Sequence, residues 1–424
     1  MAAIDILIDQ QWTSSGSCES QMKILFLSKR LLFPTDRGGL VRTLNVVRHL
    51  ARWHELTFLC NQQPGQEEDC IEMSRLGVRL ETVPWQEVSR SDWRFYRDLA
   101  WNLLSRDPFN AAKDYDPILR SRARQLLEEQ RYDVVVCDFV QMARNAIGIW
   151  DGPSVLFEHN VEAEIFERHA QTDPGWVRRK FMGYQASKMR RFEGWAGRQF
   201  TRVVAVSERD RGQYERRYGW RHVDVIDTAV DIDHYRPMDC AKLPGTVVFV
   251  GSLDWLPNVD GLQWFVSEVW PLVRQEQPEA RLRLVGRNPT LEIQKLAEQP
   301  GVEVVGAVPD TRPWLAESEV SIVPLRIGGG TRLKVFEAMA MGLPVVSTPL
   351  GAEGLQVETG VNLILAEGAA RLAQSVVQLL RTPQLREALG QAARNLVETQ
   401  FSSESVARQF ESICRRAIEE RCRK

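Results

Sequence analysis

The stretch from Val320 to Thr348 constrains the fold more than any other part of the chain. Val320-Ser-Ile-Val-Pro-Leu325 is short and apolar, the pattern of a buried strand. Gly328, Gly329 and Gly330 follow, and without a Cβ they let the backbone come close to a ligand. Thr331 suits an N-cap, and Leu333, Phe336 and Ala340 then recur at helical spacing. Gly342 and Pro344 stop that helix, and Val345 to Thr348 begin another strand. Strand, glycine loop and helix N-terminus in series make an anion site. Arg332 and Lys334 occupy the first helical turn, where a helix ordinarily favours acids. Cations there fit a polyanion such as a diphosphate. Glu337 lies one turn beyond Lys334, and its carboxylate can accept two hydrogen bonds from a ribose diol. The competing reading is a solvated Lys–Glu pair behind an ordinary glycine turn.

Strand and helix patterns alternate along almost the whole chain, which predicts α/β layers with parallel sheets. Lys23–Ser28, Glu55–Cys60, Asp133–Asp138, Ser154–Phe157 and Arg202–Ser207 read as strands of a first unit. A helix from Val41 to Arg52 carries Leu44, Val47 and Leu50 on one face. Residues 85 to 125, rich in aromatic and charged side chains, read as helices decorating that sheet. After the Pro- and Asp-containing stretch Asp231–Pro244, Thr246–Val250, Ala280–Gly286 and Val302–Val305 open a second unit, and Ala369 onward is helical. At 424 residues the chain has room for two or three domains. A cleft between the two units is expected, with ligands at the carboxyl ends of the strands.

Other strand ends hold the remaining candidates. Gly38 and Gly39 follow the first strand, and their amides can meet phosphate or sugar oxygens, or simply form a tight turn. His159 follows the strand ending at Phe157 and can offer a neutral ring nitrogen to a reacting sugar, or cap the next helix with Asn160. Gly251, after the first strand of the second unit, permits close approach of the backbone to a nucleotide. Gly286 and the Gly306–Asp310 turn are similar strand ends. Asp114 with Asp116 and Asp231 with Asp233 lie away from core strand ends, and no other metal-ligand spacing occurs, so no metal and no cofactor are expected.

Charge and composition narrow the partners. With 54 basic and 56 acidic side chains, no global field favours nucleic acid. Seven scattered cysteines without CxxC spacing suit a reducing cytoplasm. No stretch approaches the ~20 consecutive apolar residues of a membrane-spanning helix, and Met1–Gln21 reads as a frayed extension rather than a signal peptide. The run 176–198 interleaves Arg178, Arg179, Lys180 and Arg190 with Phe181, Tyr184 and Trp195. It leaves open a peripheral contact with an anionic membrane, hence a cytoplasmic protein with attachment to the inner face of the membrane as an option.

Together these motifs resemble the retaining glycosyltransferases of family four, and the resemblance spans nearly the whole chain from Met22. It rests on Gly38-Gly39, His159, the Val-Ser-Glu turn at Ser207, the segment Val230–Tyr235, and the region Ile327–Gly354. The motif G-S-x-x-W-x-P-N at Gly251–Asn258 and the run Pro324–Lys334 are similar to the exopolysaccharide-type subgroup. The resemblance implies the GT-B fold: two facing Rossmann-like domains with parallel sheets and an interdomain cleft. Residues 22–236 would form the acceptor domain, 245–395 the nucleotide-sugar donor domain, and 396–424 a helix crossing back onto the first domain.

The implied reaction is metal-independent transfer of a hexose-type sugar from a nucleotide-diphosphate donor to a saccharide, lipid-linked or small-molecule acceptor. Glu337 would bind the donor ribose, Arg332 and Lys334 the diphosphate, Gly329, Gly330 and Thr331 the sugar and phosphate, and His159 the transferred sugar. Two positions depart from the family pattern. Gly329 stands where many members carry a glutamate, and Ser252 and Asn258 lie where an arginine and a lysine are usual, which gives the cationic role to Arg332 and Lys334. An epimerase, a hydrolase or a non-catalytic binding subunit for nucleotide sugars are the rival readings.

Overall fold

The computed structural model describes residues 21–34, 38–89, 91–172, 175–327 and 333–423. The extension read as frayed lies, but for its last residue, outside the described residues. Among these residues the strands form two sheets in which every pairing is parallel. The first contains β1 (Lys23–Arg30), β2 (Glu55–Gln62), β3 (Arg79–Pro84), β4 (Val134–Asp138), β5 (Ser154–Phe157), β6 (Arg202–Ala205) and β7 (Val223–Val225). The second contains β8 (Thr246–Val250), β9 (Arg281–Val285), β10 (Val302–Gly306), β11 (Val320–Val323), β12 (Val345–Ser347) and β13 (Ile364–Leu365).

The order β3-β2-β1-β4-β5-β6-β7 reverses direction between β1 and β4, and β10-β9-β8-β11-β12-β13 reverses between β8 and β11. Each is a doubly wound, Rossmann-like sheet, whose reversal point leaves a crevice at the carboxyl ends of the strands. Sequence analysis missed β3, β7 and β13. The first is an edge strand with one buried residue in its pattern, and the other two span three and two residues.

Both faces of each sheet are covered, which is why the core strands are apolar throughout. Period-two alternation divides them between separate cores. Ile24, Phe26, Phe58, Val134 and Val136 point to one side of the first sheet, while Leu25, Leu27, Leu59, Val135 and Cys137 point to the other. Phe26 and Phe58 are register partners, and their rings stack with centroids 5.5 Å apart. In the second sheet Val247, Phe249, Leu282 and Leu284 face one core, and Val248, Val285 and Val323 the other.

Beyond the second sheet the chain returns to the first. The helix Pro383–Leu396 passes through a π-helical turn, Val397–Phe401, into the helix Ser403–Cys422. Val406, Phe410, Ile413, Cys414 and Ala417 from that last helix belong to the same core as Ile24 and Phe26. The outgoing and returning crossings lie side by side, since Val230 N–H donates to Phe401 O at 2.9 Å and Ser403 N–H to Val230 O at 3.2 Å. Arg394 ties them further, with hydrogen bonds to the carbonyls of Ile232, Tyr235 and Ala340.

Phe410 is fully buried and packs edge-on against Phe157 of β5 at 5.1 Å. Phe410→Ala should therefore destabilise the first half by about 3–5 kcal/mol in urea unfolding. A loss below about 1 kcal/mol would mean that the last helix is not part of that core.

Candidate functional site

At the reversal point of the first sheet, β1, β4, β5 and the helix Gly38–Trp53 converge on one carboxylate. Asp138, at the end of β4, has no exposed surface. It accepts hydrogen bonds from Ser28 Oγ at 3.0 Å and Thr43 Oγ1 at 3.1 Å, and pairs with His159 Nε2 at 2.8 Å. The other ring nitrogen, Nδ1, lies 3.3 Å from an Arg42 guanidinium nitrogen. Burial holds the His159 pKa below its ordinary value, although Asp138 opposes that shift. The ring is then neutral: Nε2–H donates to Asp138 and Nδ1 accepts from Arg42. Burial also draws the Arg42 guanidinium down to about 10.

His159 was expected to offer a ring nitrogen to a sugar, but both nitrogens are engaged and the residue is 3% exposed. Its ring is held between Phe139, with centroids 4.1 Å apart, and Phe157, at 4.3 Å. Phe139 has φ 69°, a conformation that non-glycine residues rarely adopt and that concentrates at functional sites. This ring also explains Gly39, where an added Cβ would approach the Phe139 Cζ to 2.8 Å. Gly38 starts the same helix. Asp138, Arg42 and Phe139 were not singled out from the sequence. The first is detectable as an acid at a strand end, whereas nothing local marks the other two.

At the reversal point of the second sheet, the Lys334 ammonium reaches back from the helix Leu333–Ala340 to the end of β8. It donates to Asn258 Oδ1 at 2.6 Å and sits 4.6 Å from the Phe249 ring centroid. Asn258 is itself fixed, because its Nδ2 donates to Ser252 O at 2.6 Å. Gly251 makes room for this arrangement, since a Cβ there would lie 3.0 Å from the Lys334 ammonium and 3.1 Å from Asn258 Nδ2. Gly286, with φ 158°, packs so closely on Gly251 that a Cβ would strike the Gly251 carbonyl. One turn along, Glu337 is partly buried and hydrogen-bonds to the Tyr235 hydroxyl. Burial raises its pKa, while Tyr235 and Lys334 pull it back. Thus Gly251, Lys334 and Glu337 gather at one strand end. Gly329, Gly330, Thr331 and Arg332 lie outside the described residues.

Two cavities adjoin the first reversal point. One, of about 600 Å³, is lined by Lys29, Arg30, Arg42, Lys113, Phe139 and His159, among others. The second, of about 370 Å³, runs between the halves, with His159, Ser207 and Thr228 on one side and Phe336, Glu353 and Gly354 on the other. His159 and Asn160 line both.

Beneath these cavities lies a cluster of buried acids. Glu193 Oε1 accepts from Glu162 N–H at 2.8 Å, and Oε2 accepts from the Tyr218 hydroxyl and Ala163 N–H. Glu158 accepts from Val140 N–H at 3.3 Å. Burial pushes Glu162 and Glu193 up to about 7, and raises Glu158 as well. A carboxyl whose folded pKa is raised holds its proton more tightly when folded, so its stabilisation is complete below the unfolded value and is lost as pH rises through the folded one. Here that window runs from the ordinary 4.5 to about 7. Thermal stability should fall between about pH 4.5 and pH 7, and Glu193→Gln, a mimic of the neutral acid, should recover about 1–3 kcal/mol at the upper end. An unchanged pH profile in that variant would show that Glu193 is ionised in the folded protein throughout.

Residues 37–234 match Glycosyltransferase Family 4, and residues 244–382 match Glycosyl transferases group 1. The chain is 23% identical over 331 residues to an uncharacterized 44.6 kDa protein in the cps region of Klebsiella pneumoniae, covering 73% of this chain and 81% of that one. A shorter match, 30% identical over 149 residues, covers 32% of this chain and 25% of the Vi polysaccharide biosynthesis protein VipC/TviE of Salmonella typhi. The crystal structure of Anabaena Alr3699/HepE in complex with UDP and glucose superposes with a TM-score of 0.61, covering 92% of this chain and 99% of that one. At 15% identity that likeness speaks to the fold alone. Two doubly wound parallel sheets, each with its own family match, establish that the chain belongs to the GT-B glycosyltransferases.

Proposed function

We propose that this glycosyltransferase moves a hexose-type sugar from a nucleotide-diphosphate donor to a hydroxyl acceptor, with retention at the anomeric carbon, in the biosynthesis of a glycan or polysaccharide. The observation that carries this reading is the Lys334 ammonium, held by Asn258 over Phe249 at the second reversal point, one turn from Glu337. An ammonium fixed at the crevice of a doubly wound sheet is suited to a phosphate, and a carboxylate beside it to a ribose diol. The relatives agree in kind: HepE was crystallised with UDP and glucose, and VipC/TviE is named for polysaccharide biosynthesis.

In the proposed reaction, departure of the diphosphate builds negative charge that Lys334 stabilises together with Arg332 and the glycine-loop amides. The acceptor hydroxyl attacks from the face the diphosphate leaves, and a leaving phosphate oxygen takes its proton. Metal independence is part of the proposal, with Arg332 and Lys334 supplying the positive charge. Asp138 and Arg42 fix the His159 ring, so its edge and backbone, rather than a ring nitrogen, are what it presents to the transferred sugar. The acceptor would enter through the cavity lined by Arg30, Arg42 and Lys113.

Calorimetry with a panel of nucleoside diphosphates that begins with UDP tests the donor site. Lys334→Ala and Glu337→Ala should each weaken the best binder by roughly ten- to a hundredfold. With the corresponding nucleotide sugar, Lys334→Ala should lower kcat/KM for transfer by about 10²–10³. The product should keep the donor's anomeric configuration by NMR. Full binding in both variants would displace the donor from this end of the sheet, and rapid turnover of donor without acceptor would favour a hydrolase or epimerase.

A further inference from the structure

The first sheet also carries a cavity at its opposite end. Val135, Ser154, Thr201 and His222 stand at or beside the amino ends of β4, β5, β6 and β7, and they line one cavity of about 560 Å³. Doubly wound sheets ordinarily keep their ligands at the carboxyl ends. Ser154 opens β5, whereas Phe157, at its other end, packs on His159. About 10 Å of strand therefore separates this cavity from the first reversal point. Its size falls within the roughly 300–1,000 Å³ of small-molecule sites. The last helix, Ser403–Cys422, contributes Glu420 and Arg421 to the wall.

Several donors in this wall keep protons that the chain does not use. Ser154 N–H donates to Thr201 Oγ1 at 3.1 Å, and Thr201 N–H donates to Ser154 Oγ at 3.2 Å. Both hydroxyls thus act as acceptors, and neither hydroxyl proton has an acceptor among the described residues. Arg198 Nη2 donates to Tyr218 O at 3.1 Å, and Arg421 Nε donates to Asp151 O at 2.8 Å. Each bond orients a guanidinium while using one of the five N–H groups it carries. Neither arginine has a carboxylate partner among the described residues. Glu420 is committed to Arg202, which also pairs with Asp224 at 3.3 Å, and Asp224 takes Arg416 at 2.9 Å. Asp151 is the remaining carboxylate of the lining and is exposed. His222 Nε2 donates to Gly197 O at 3.0 Å, which leaves Nδ1 of the neutral ring as an acceptor. Trp150 adds a flat wall: its indole N–H donates to Pro153 O at 2.9 Å, and a Cβ on Gly152 would come within 2.1 Å of the ring. The ring rests directly on bare backbone.

We propose that this cavity is a second ligand site, separate from the reaction crevice, and that it takes a phosphorylated sugar. The phosphate goes to the Arg198 and Arg421 guanidiniums and the Ser154 and Thr201 hydroxyls, because planar forks and hydroxyl donors match phosphate oxygens. The sugar lies against Trp150, and its hydroxyls donate to the Asp151 carboxylate and to His222 Nδ1. A few polar groups set around an aromatic wall are the ordinary make-up of a small-molecule site. Asp151 disfavours a ligand charged at both ends, so one phosphate on a neutral ring fits better than a polyanion. A ligand bound there bridges Arg421 of the last helix to the amino ends of β5 and β6. It holds the helix that returns from the second half against the first, and so stabilises the folded chain.

Calorimetry on the full-length protein tests the site with glucose 6-phosphate, glucose 1-phosphate, inorganic phosphate and glucose. At least one of the sugar phosphates should bind with a Kd of about 1 mM or tighter, and should raise the melting temperature. Inorganic phosphate should bind roughly tenfold more weakly, and glucose should give no measurable heat. Arg198→Gln combined with Arg421→Gln should weaken the sugar phosphate by roughly ten- to a hundredfold. Gln199→Glu, an exposed change that brings negative charge to the lining and spares both guanidiniums, should weaken it by about tenfold. Unchanged melting of these variants without ligand would show that the fold is intact. Lys334→Ala should leave the binding as it is. The proposal is overturned if neither sugar phosphate binds, or if glucose or inorganic phosphate binds as tightly as the better of them. Binding that survives both the arginine pair and Gln199→Glu overturns it too, as does binding lost in Lys334→Ala, which would place the heat in the donor crevice. No nucleotide or acceptor enters this assay, so a failure here leaves the proposed reaction standing.

Discussion

The Asp138 carboxylate is what the first half of the site is built around. It is buried without a cationic partner at its own oxygens among the described residues, and is held by hydroxyls and an imidazole from β1, the first helix and the start of the loop after β5. A charge withdrawn from water survives only when its lone pairs are satisfied, so these three donors must stay where they are. Their positions fix the His159 tautomer, and the ring in turn sets the place of Phe139 and the need for glycine at position 39. The left-handed backbone at Phe139 is then a strain imposed by packing at a strand end rather than an isolated irregularity.

The second half reaches a comparable degree of order by a different route. There a cation takes the central position, reaching from a helix to a strand-end asparagine whose amide is already bonded to Ser252 O. The positive charge of this crevice thus comes from the helix Leu333–Ala340 and is held at the strand end by Asn258. Two glycines, Gly251 and Gly286, pack against each other to leave that crevice open. A reversed strand order creates the crevice, and small residues keep it accessible.

Much of this was legible in the sequence because buried parallel strands are uniformly apolar. The reading found β1, β4, β8 and β11 and the glycines that follow β1, β8 and β11, but passed over Asp138 at the end of β4. Gly342, anticipated as a helix stop, does adopt the left-handed conformation, with φ 68°. Edge strands carry no such signature: Arg79–Pro84 has a single buried residue, Val83, and Ile364–Leu365 is too short for any period to appear. Side-chain networks were also out of reach. That His159 would spend both nitrogens on Asp138 and Arg42 depends on residues 21 and 117 positions away, and no local pattern encodes a contact of that kind. The helix from Trp176 was legible as basic and aromatic, but only its packing separates the exposed first turns from the buried remainder.

The last helix, Ser403–Cys422, has a bearing on how the molecule is made. It supplies Val406, Phe410, Ile413 and Ala417 to a core otherwise built from the first two hundred or so residues. During synthesis β1 to β7 emerge long before their final covering helix, and part of one face of that sheet, beside the helix Gly38–Trp53, stays uncovered while the second half is translated. The nascent first half must wait, with Phe26, Phe58 and Phe157 lacking a helix over part of their surface, until the second half and this helix have been made. Such a chain matures as a unit, and chaperone capture during elongation would be directed at that uncovered face.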